Sequence, residues 1–93
     1  MSRMFSWCSS LKEADLTKFN TENVTDMSCM FAGCQSLKKV IFSNFKTNKV
    51  KDMRFMFSGC ELLKYINLSN LNINEEANRT GMFYGCFKLH FNY

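Results

Sequence analysis

Four cysteines recur at a fixed interval in this chain: Cys8, Cys34, Cys60 and Cys86 are each separated by 26 residues. Cysteine thiolates ligate zinc, form disulfides or act as nucleophiles, so their spacing is the first test of what chemistry is available. Structural zinc needs close pairs such as Cys-x-x-Cys that bring four ligands around one point. An interval of 26 residues instead places one sulfur on each unit of a stack, and neighbouring strands of a parallel sheet lie about 4.8 Å apart. That is a line of sulfurs, not a tetrahedron. The spacing suits the Cα window of a disulfide, about 4.4–6.8 Å, but identical side chains in register point the same way rather than toward each other. The fifth cysteine, Cys29, occupies a position filled elsewhere by Phe55, which points to packing. Five thiols make no paired framework. The expectation is reduced, buried cysteines acting as small hydrophobes, with no metal site and no cofactor.

His90 is the single histidine and aligns with Lys12, Lys38 and Lys64, which predicts an exposed position. No serine, cysteine or carboxylate can be assigned to it. Catalysis needs a nucleophile–base pair with an orienting group, and without that constellation the chain is expected not to be an enzyme. The three periodic lysines predict a column of positive charge. A solvated edge that discourages aggregation is the plain reading of it; contact with an anionic protein surface or a glycan is the functional one. Asn23-Val24-Thr25, Asn67-Leu68-Ser69 and Asn78-Arg79-Thr80 match the glycosylation sequon, which matters only in a chain secreted by a eukaryotic cell.

The elements that position these residues follow from the repeat itself. Met-Phe-x-x-Cys begins at Met4, Met30, Met56 and Met82. Phe5, Phe31, Phe57 and Phe83 keep register, as do Leu11, Leu37, Leu63 and Leu89, then Leu16, Phe42 and Leu68, then Phe19, Phe45 and Leu71. A fixed period of 20 to 50 residues marks units that cannot bury an apolar face alone and stack on their neighbours. Residues 1–93 are therefore expected to form a single array of about three full repeats and a partial one. Phe31, Cys34, Leu37, Phe57, Cys60 and Leu63 are its predicted structural positions.

Within a unit, Val40 with Phe42, and Ile66 with Leu68, alternate as a short strand should. Two further strands are expected to start near Leu11 and Leu89. The next segment changes period: Val50, Met53 and Phe57, like Val24, Met27 and Phe31, lie at i, i+3 and i+7, which predicts one face of a short helix. Asp26 and Asp52 would complement the dipole in its first turn, and Gly33 and Gly59 would end it as left-handed residues. Asn23 fits the cap in one copy, while Thr47 or Asn48 would serve in the next. The third unit carries Glu76, Asn78, Arg79 and Gly81 at the helix positions, so its helix is expected to be short, shifted or absent. Repeat drift accounts for that, as would a terminal unit turning polar, although Phe87, Leu89, Phe91 and Tyr93 make a poor cap.

The unit Met-Phe-x-Gly-Cys-x-x-Leu-Lys, with Ser-Asn-Phe/Leu and Asn-Val-Thr-Asp-Met further on, closely resembles the BspA-like leucine-rich repeats of bacterial and protist surface proteins. The best stretch runs from Phe19 to Leu71, and weaker copies extend it over most of the chain. The resemblance implies an α/β fold, a right-handed leucine-rich-repeat solenoid with a parallel sheet on one side and short helices on the other. It also implies a binding role at a cell surface or outside the cell, and no enzymatic activity.

Composition sets limits on function. The net charge of +4 is spread along the chain with acidic residues interleaved, whereas nucleic-acid binding needs a denser basic stripe. No run of 18 apolar residues is present, so no membrane span is expected. The first residues contain no continuous apolar stretch like a secretory signal, which leaves a cytoplasmic protein as the alternative setting. The expected function is a non-catalytic binding module, a fragment of a surface or adhesion-type protein, contacting a protein or glycan through the outward side of its strands. Lys39, Ile41, Tyr65 and Asn67 are the candidate contacts, with Tyr65 favoured as the anchor for its apolar area and polar tip. Three or four strands span only about 15 Å, small against the roughly 800 Å² per partner of a stable interface. The alternatives are a truncated structural remnant and an intracellular interaction module. Met4, Phe5 and Trp7 at one end, and Phe83, Phe87, Phe91 and Tyr93 at the other, predict marginal stability and end-to-end self-association.

Overall fold

Each repeat contributes one three-residue strand where the alternating segment lies. In the computed structural model, which describes residues 1–42, 46–67 and 75–92, these are β1 (Glu13–Asp15), β2 (Lys39–Ile41), β3 (Tyr65–Asn67) and β4 (His90–Asn92). β1 pairs in parallel with β2, with Glu13 opposite Lys39, Ala14 opposite Val40 and Asp15 opposite Ile41. β3 pairs in parallel with β4, Tyr65 lying opposite His90. Single parallel bridges join Asp26 to Asp52 and Asp52 to Asn78, so the repeats run side by side there as well. Phe45, Leu68, Ser69, Leu71 and Tyr93, named above in the repeat, its strands, its sequons or its tail, lie outside the described residues.

The predicted helices are not there. Among the described residues there is no helix, and the strands form two separate two-stranded sheets. This overturns the α/β fold with a sheet on one side and helices on the other, and with it the leucine-rich-repeat solenoid the resemblance implied. The reason lies in the backbone donors. An α-helix needs each N–H to reach the carbonyl four residues back. In residues 27–34 only alternate donors bond locally: Met30, Ala32 and Cys34 donate to Met27, Cys29 and Phe31, three residues back, at 3.4, 3.2 and 3.1 Å. The donors between them reach the next repeat. Met27, Cys29, Phe31 and Gly33 donate to Asp52, Arg54, Met56 and Ser58 at 2.8, 2.9, 2.8 and 2.7 Å. The segment is a run of tight turns stitched to its neighbour.

Two left-handed positions per repeat make those turns. Arg3, Cys29, Phe55 and Gly81 have φ of 59, 55, 58 and 63°, and Trp7, Gly33, Gly59 and Gly85 have φ of 63, 77, 78 and 81°. A turn with positive φ at its third residue closes 27–30 and again 31–34, so Gly33 and Gly59 are turn residues, not helix ends. Left-handed backbone costs a residue with a side chain about 1–2 kcal/mol; the regular bonds to the next repeat hold Cys29 and Phe55 there. Asp26 and Asp52 also take a different part from the one predicted. Their Oδ1 atoms accept the amides of Ser28 and Arg54, two residues on, at 2.9 and 3.1 Å, the local side-chain bond that makes an Asx turn. Asn78 does the same for Thr80 at 3.0 Å, so the third unit follows the path of the others despite its changed residues. The predicted caps have other work: Asn23 accepts the Lys49 ammonium at 3.0 Å, and Thr47 is buried at the start of a turn closed by Val50.

The core is a set of ladders along the repeats. Phe5, Phe31, Phe57 and Phe83 stack face to face, with ring centroids 5.3, 5.4 and 5.6 Å apart and planes within 8° of parallel. Phe31, Cys34, Leu37, Phe57, Cys60 and Leu63 are fully buried, joined by Met27, Met30, Met53 and Met56. Ala14 and Ile66 point inward from β1 and β3.

Candidate functional site

The strands begin where the backbone of one repeat takes hold of the next: the Lys38 amide donates to the Lys12 carbonyl at 2.8 Å, and the His90 amide to the Lys64 carbonyl at 2.7 Å. Because the following residue of β3, Ile66, is buried, Tyr65 is turned outward, 62% exposed. The Lys64 ammonium sits 5.7 Å from the Tyr65 ring centre, within cation–π range. The His90 ring lies 5.9 Å from that of Tyr65, tilted by 31°. Lys38, Leu62, Lys64, Tyr65 and Lys88 together line an open cleft of about 450 Å³. Three ammonium groups around an exposed phenol and an aliphatic wall can hold an anionic group and pack against an apolar or planar one.

The predicted contacts divide. Lys39 and Tyr65 are exposed, on β2 and β3. Ile41, expected to face outward, is half-buried. Asn67 is placed only by its backbone, opposite Asn92; its side chain lies outside the described residues. Of the four, Tyr65 alone lines the cleft. Lys38 and Lys64 of the periodic column join it there, whereas Lys12 does not. Leu62 and Lys88 were missed. They occupy equivalent positions in successive repeats, and the lysine that completes the cleft stands where the earlier repeats carry Ser10, Ser36 and Leu62, a position with no charge pattern.

The cysteines form a ladder of a kind that disfavours reactivity. The thiols of Cys34, Cys60 and Cys86 donate to the carbonyls of Phe5, Phe31 and Phe57 at 2.9, 3.2 and 3.1 Å. Burial pushes the Cys34 thiol up to about 11 and raises those of Cys60 and Cys86 too, so they stay protonated at neutral pH and are poor nucleophiles. All five are free, but only Cys34 and Cys60 are fully buried. Cys8 is exposed, and Cys29 and Cys86 are half-buried, which corrects the expectation of uniform burial. Among the described residues no group of three or more His, Cys, Asp or Glu is placed to hold a metal ion, and no helix is long and apolar enough to cross a membrane.

On the acidic side, Asp52 is held below the usual carboxylate range by the side-chain hydrogen bond from Arg54, whose guanidinium meets it at 2.8 Å. The pair is surface-exposed and belongs to the Asx turn, away from the residues lining the cleft.

Comparison with curated proteins and with solved structures finds no match. The family model described as "Mycoplasma protein of unknown function, DUF285" matches residues 1–93. With the whole length matched, the chain belongs to the DUF285 family.

Proposed function

We propose that this protein is a non-catalytic binding module of the BspA-like kind, acting at a cell surface, and that it engages an anionic partner through the cleft around Tyr65. The observation that carries this reading is the convergence of Lys38, Lys64 and Lys88 on an exposed Tyr65. An exposed tyrosine with an aliphatic neighbour offers contact area at low entropic cost, and the ammonium groups select acidic groups on a protein or a glycan. Lys39, exposed beside the cleft on β2, extends the same charge. The surface setting is supported by the likeness of the Met-Phe-x-Gly-Cys-x-x-Leu repeats to those of surface proteins.

The test is binding of the immobilised chain to two panels, sulfated or uronic-acid oligosaccharides and acidic proteins, at low and at raised salt. Retention of members of one panel that weakens with salt is expected, because exposed charge pairs are screened. Tyr65→Ala and the pair Lys64→Ala with Lys88→Ala should each weaken it while circular dichroism and the melting curve stay unchanged. No retention of either panel, or equal retention by the folded variants, overturns the reading.

A further inference from the structure

The two strand pairs do not share one register. Glu13 lies opposite Lys39, its equivalent one repeat on, whereas Tyr65 lies opposite His90, one residue short of its equivalent Phe91. By sequence position His90 continues the column of Lys12, Lys38 and Lys64. The slip of one residue takes the imidazole out of that column and sets it beside the phenol, with ring centres 5.9 Å apart and planes inclined by 31°. Both side chains are exposed. Tyr65 stands on an interior repeat, with β2 before it and β4 after it, so its exposure belongs to the face of the stack.

The cleft therefore presents two series. Two rings stand on successive repeats, and Lys38, Lys64 and Lys88 bring one ammonium from each of three successive repeats. Adjacent parallel strands lie about 4.8 Å apart, and both series run along the stack, across the strands. Among the described residues no carboxylate lines the cleft. A ligand that answers both series carries, unit by unit, a face that packs on a ring and an anionic group beside it. An acidic sugar does so. One face of a pyranose is lined with C–H bonds that make weak contacts with an aromatic ring, and its carboxylate or sulfate projects from the rim. Each sugar also lengthens its chain by about as much as one repeat lengthens the stack.

Other polyanions answer less well. The acidic side chains of a peptide have no face for a ring, and those on one side of an extended strand recur only about every 6.6 Å. A nucleotide base stacks on a whole ring face, but the Lys64 ammonium stands over the Tyr65 ring at 5.7 Å and the imidazole is tilted from it. The net charge of +4, with acidic residues interleaved, also falls short of a nucleic-acid stripe.

We propose that the ligand of this cleft is an acidic polysaccharide, a chain of uronic-acid or sulfated sugars lying along the stack. One sugar ring packs on Tyr65 and the next on His90, with the anionic groups on Lys38, Lys64 and Lys88. The assignment rests on the reading of the cleft as an anion-binding site, and it makes His90 a binding residue.

The experiment titrates the whole chain, at one low salt concentration, with oligogalacturonate, a heparin-derived oligosaccharide, poly-glutamate and a thymidine oligonucleotide of matched length. At least one of the two sugars should bind more tightly than both other polyanions, galacturonate marking carboxylate and heparin marking sulfate as the preferred group. Its ring C–H protons should shift upfield on binding, the signature of an aromatic face. His90→Ala should weaken that binding several-fold, and His90→Phe should restore it. Tighter binding of poly-glutamate or the oligonucleotide, lost in Tyr65→Ala, overturns the sugar assignment and leaves the anion-binding cleft standing. Sugar binding that His90→Ala leaves unchanged overturns the assignment as well. No binding of any probe overturns both. If His90→Ala fails to fold, the order of affinities and the upfield shifts in the unaltered chain still decide.

Discussion

The Cys60 thiol donates to the carbonyl of Phe31, 29 residues earlier, at 3.2 Å, in a fully buried setting. The same carbonyl accepts the Cys34 amide at 3.1 Å, so the thiol takes up its second lone pair. A small residue with a weak donor fits this place better than either alanine or serine: alanine leaves a void and an under-used carbonyl, serine a harder polar group to bury. Cys60→Ala should cost about 1–3 kcal/mol from lost packing and the lost bond. Denaturant unfolding checks it, with exposed Lys18→Ala as the reference that should stay within about 0.5 kcal/mol of the parent.

Gly33 and Gly59 share a left-handed conformation, at φ of 77 and 78°, but not their surroundings. A Cβ on Gly33 would come within 2.4 Å of the Trp7 ring, while one on Gly59 meets only glycine backbone at 3.5 Å. Gly59→Ala should therefore cost the backbone strain alone, about 1–2 kcal/mol. Gly33→Ala should cost more and must push the Trp7 ring aside. Trp7 is the sole tryptophan, so its fluorescence should change for Gly33→Ala and not for Gly59→Ala. In the Trp7→Ala background the two alanine variants should become equally costly.

Asp52 serves an Asx turn and an ion pair, whereas Asn78 serves the same turn with no charge. Asp52→Asn should keep the turn and lose only the exposed pair with Arg54, a small loss because solvent screens exposed charges. Asp52→Ala removes the turn bond too and should be the more damaging change. A melting comparison of the two, repeated at high salt, separates the contributions, because salt screens the pair and leaves the turn.

Thiol ionisation gives the protein an alkaline limit. Burial raises the Cys34 thiol from 9.0 to about 11, and those of Cys60 and Cys86 also rise. Between these values the unfolded chain has released protons that the folded chain retains, so stability falls as pH rises through that window. Below about 8 the thiols are protonated in both states and contribute no slope. Melting temperature should drop between pH 8.5 and 10.5, and the drop should be shallower in Cys34→Ala. In a separate thiol-labelling experiment at neutral pH, Cys8 should label fast, Cys29 and Cys86 more slowly, and Cys34 and Cys60 last.

The repeat of 26 residues was legible before any coordinates, and so were the ladders it generates. Phe31 over Phe57, the buried Cys34 and Cys60, and strands at Val40 and Ile66 follow from identical residues at a fixed interval, because stacked units place identical side chains on one line. The outward position of Tyr65 was legible for the same reason. Ile41 was not, because a strand of three residues at the margin of a small core leaves its last side chain half covered, whatever its alternation.

The helix was the larger misreading, and its cause is physical. Met27 and Phe31, or Met53 and Phe57, lie four apart in both a helix and a chain of tight turns, so apolar spacing fits either. What separates them is where the amides of Cys29, Phe31 and Gly33 find acceptors, and those acceptors are Arg54, Met56 and Ser58 on another repeat. Cys29 and Phe55 bear no local mark of left-handed backbone; only the bonds across the stack impose it. The gathering of Lys88 with Lys38 and Lys64 is of the same kind, since Lys88 falls outside their period and reaches the cleft only once the last repeat is laid beside the third. Sequence by itself determined the period and the side chains that stack. The tertiary structure decided the backbone between them, because its hydrogen bonds are made across repeats rather than along the chain.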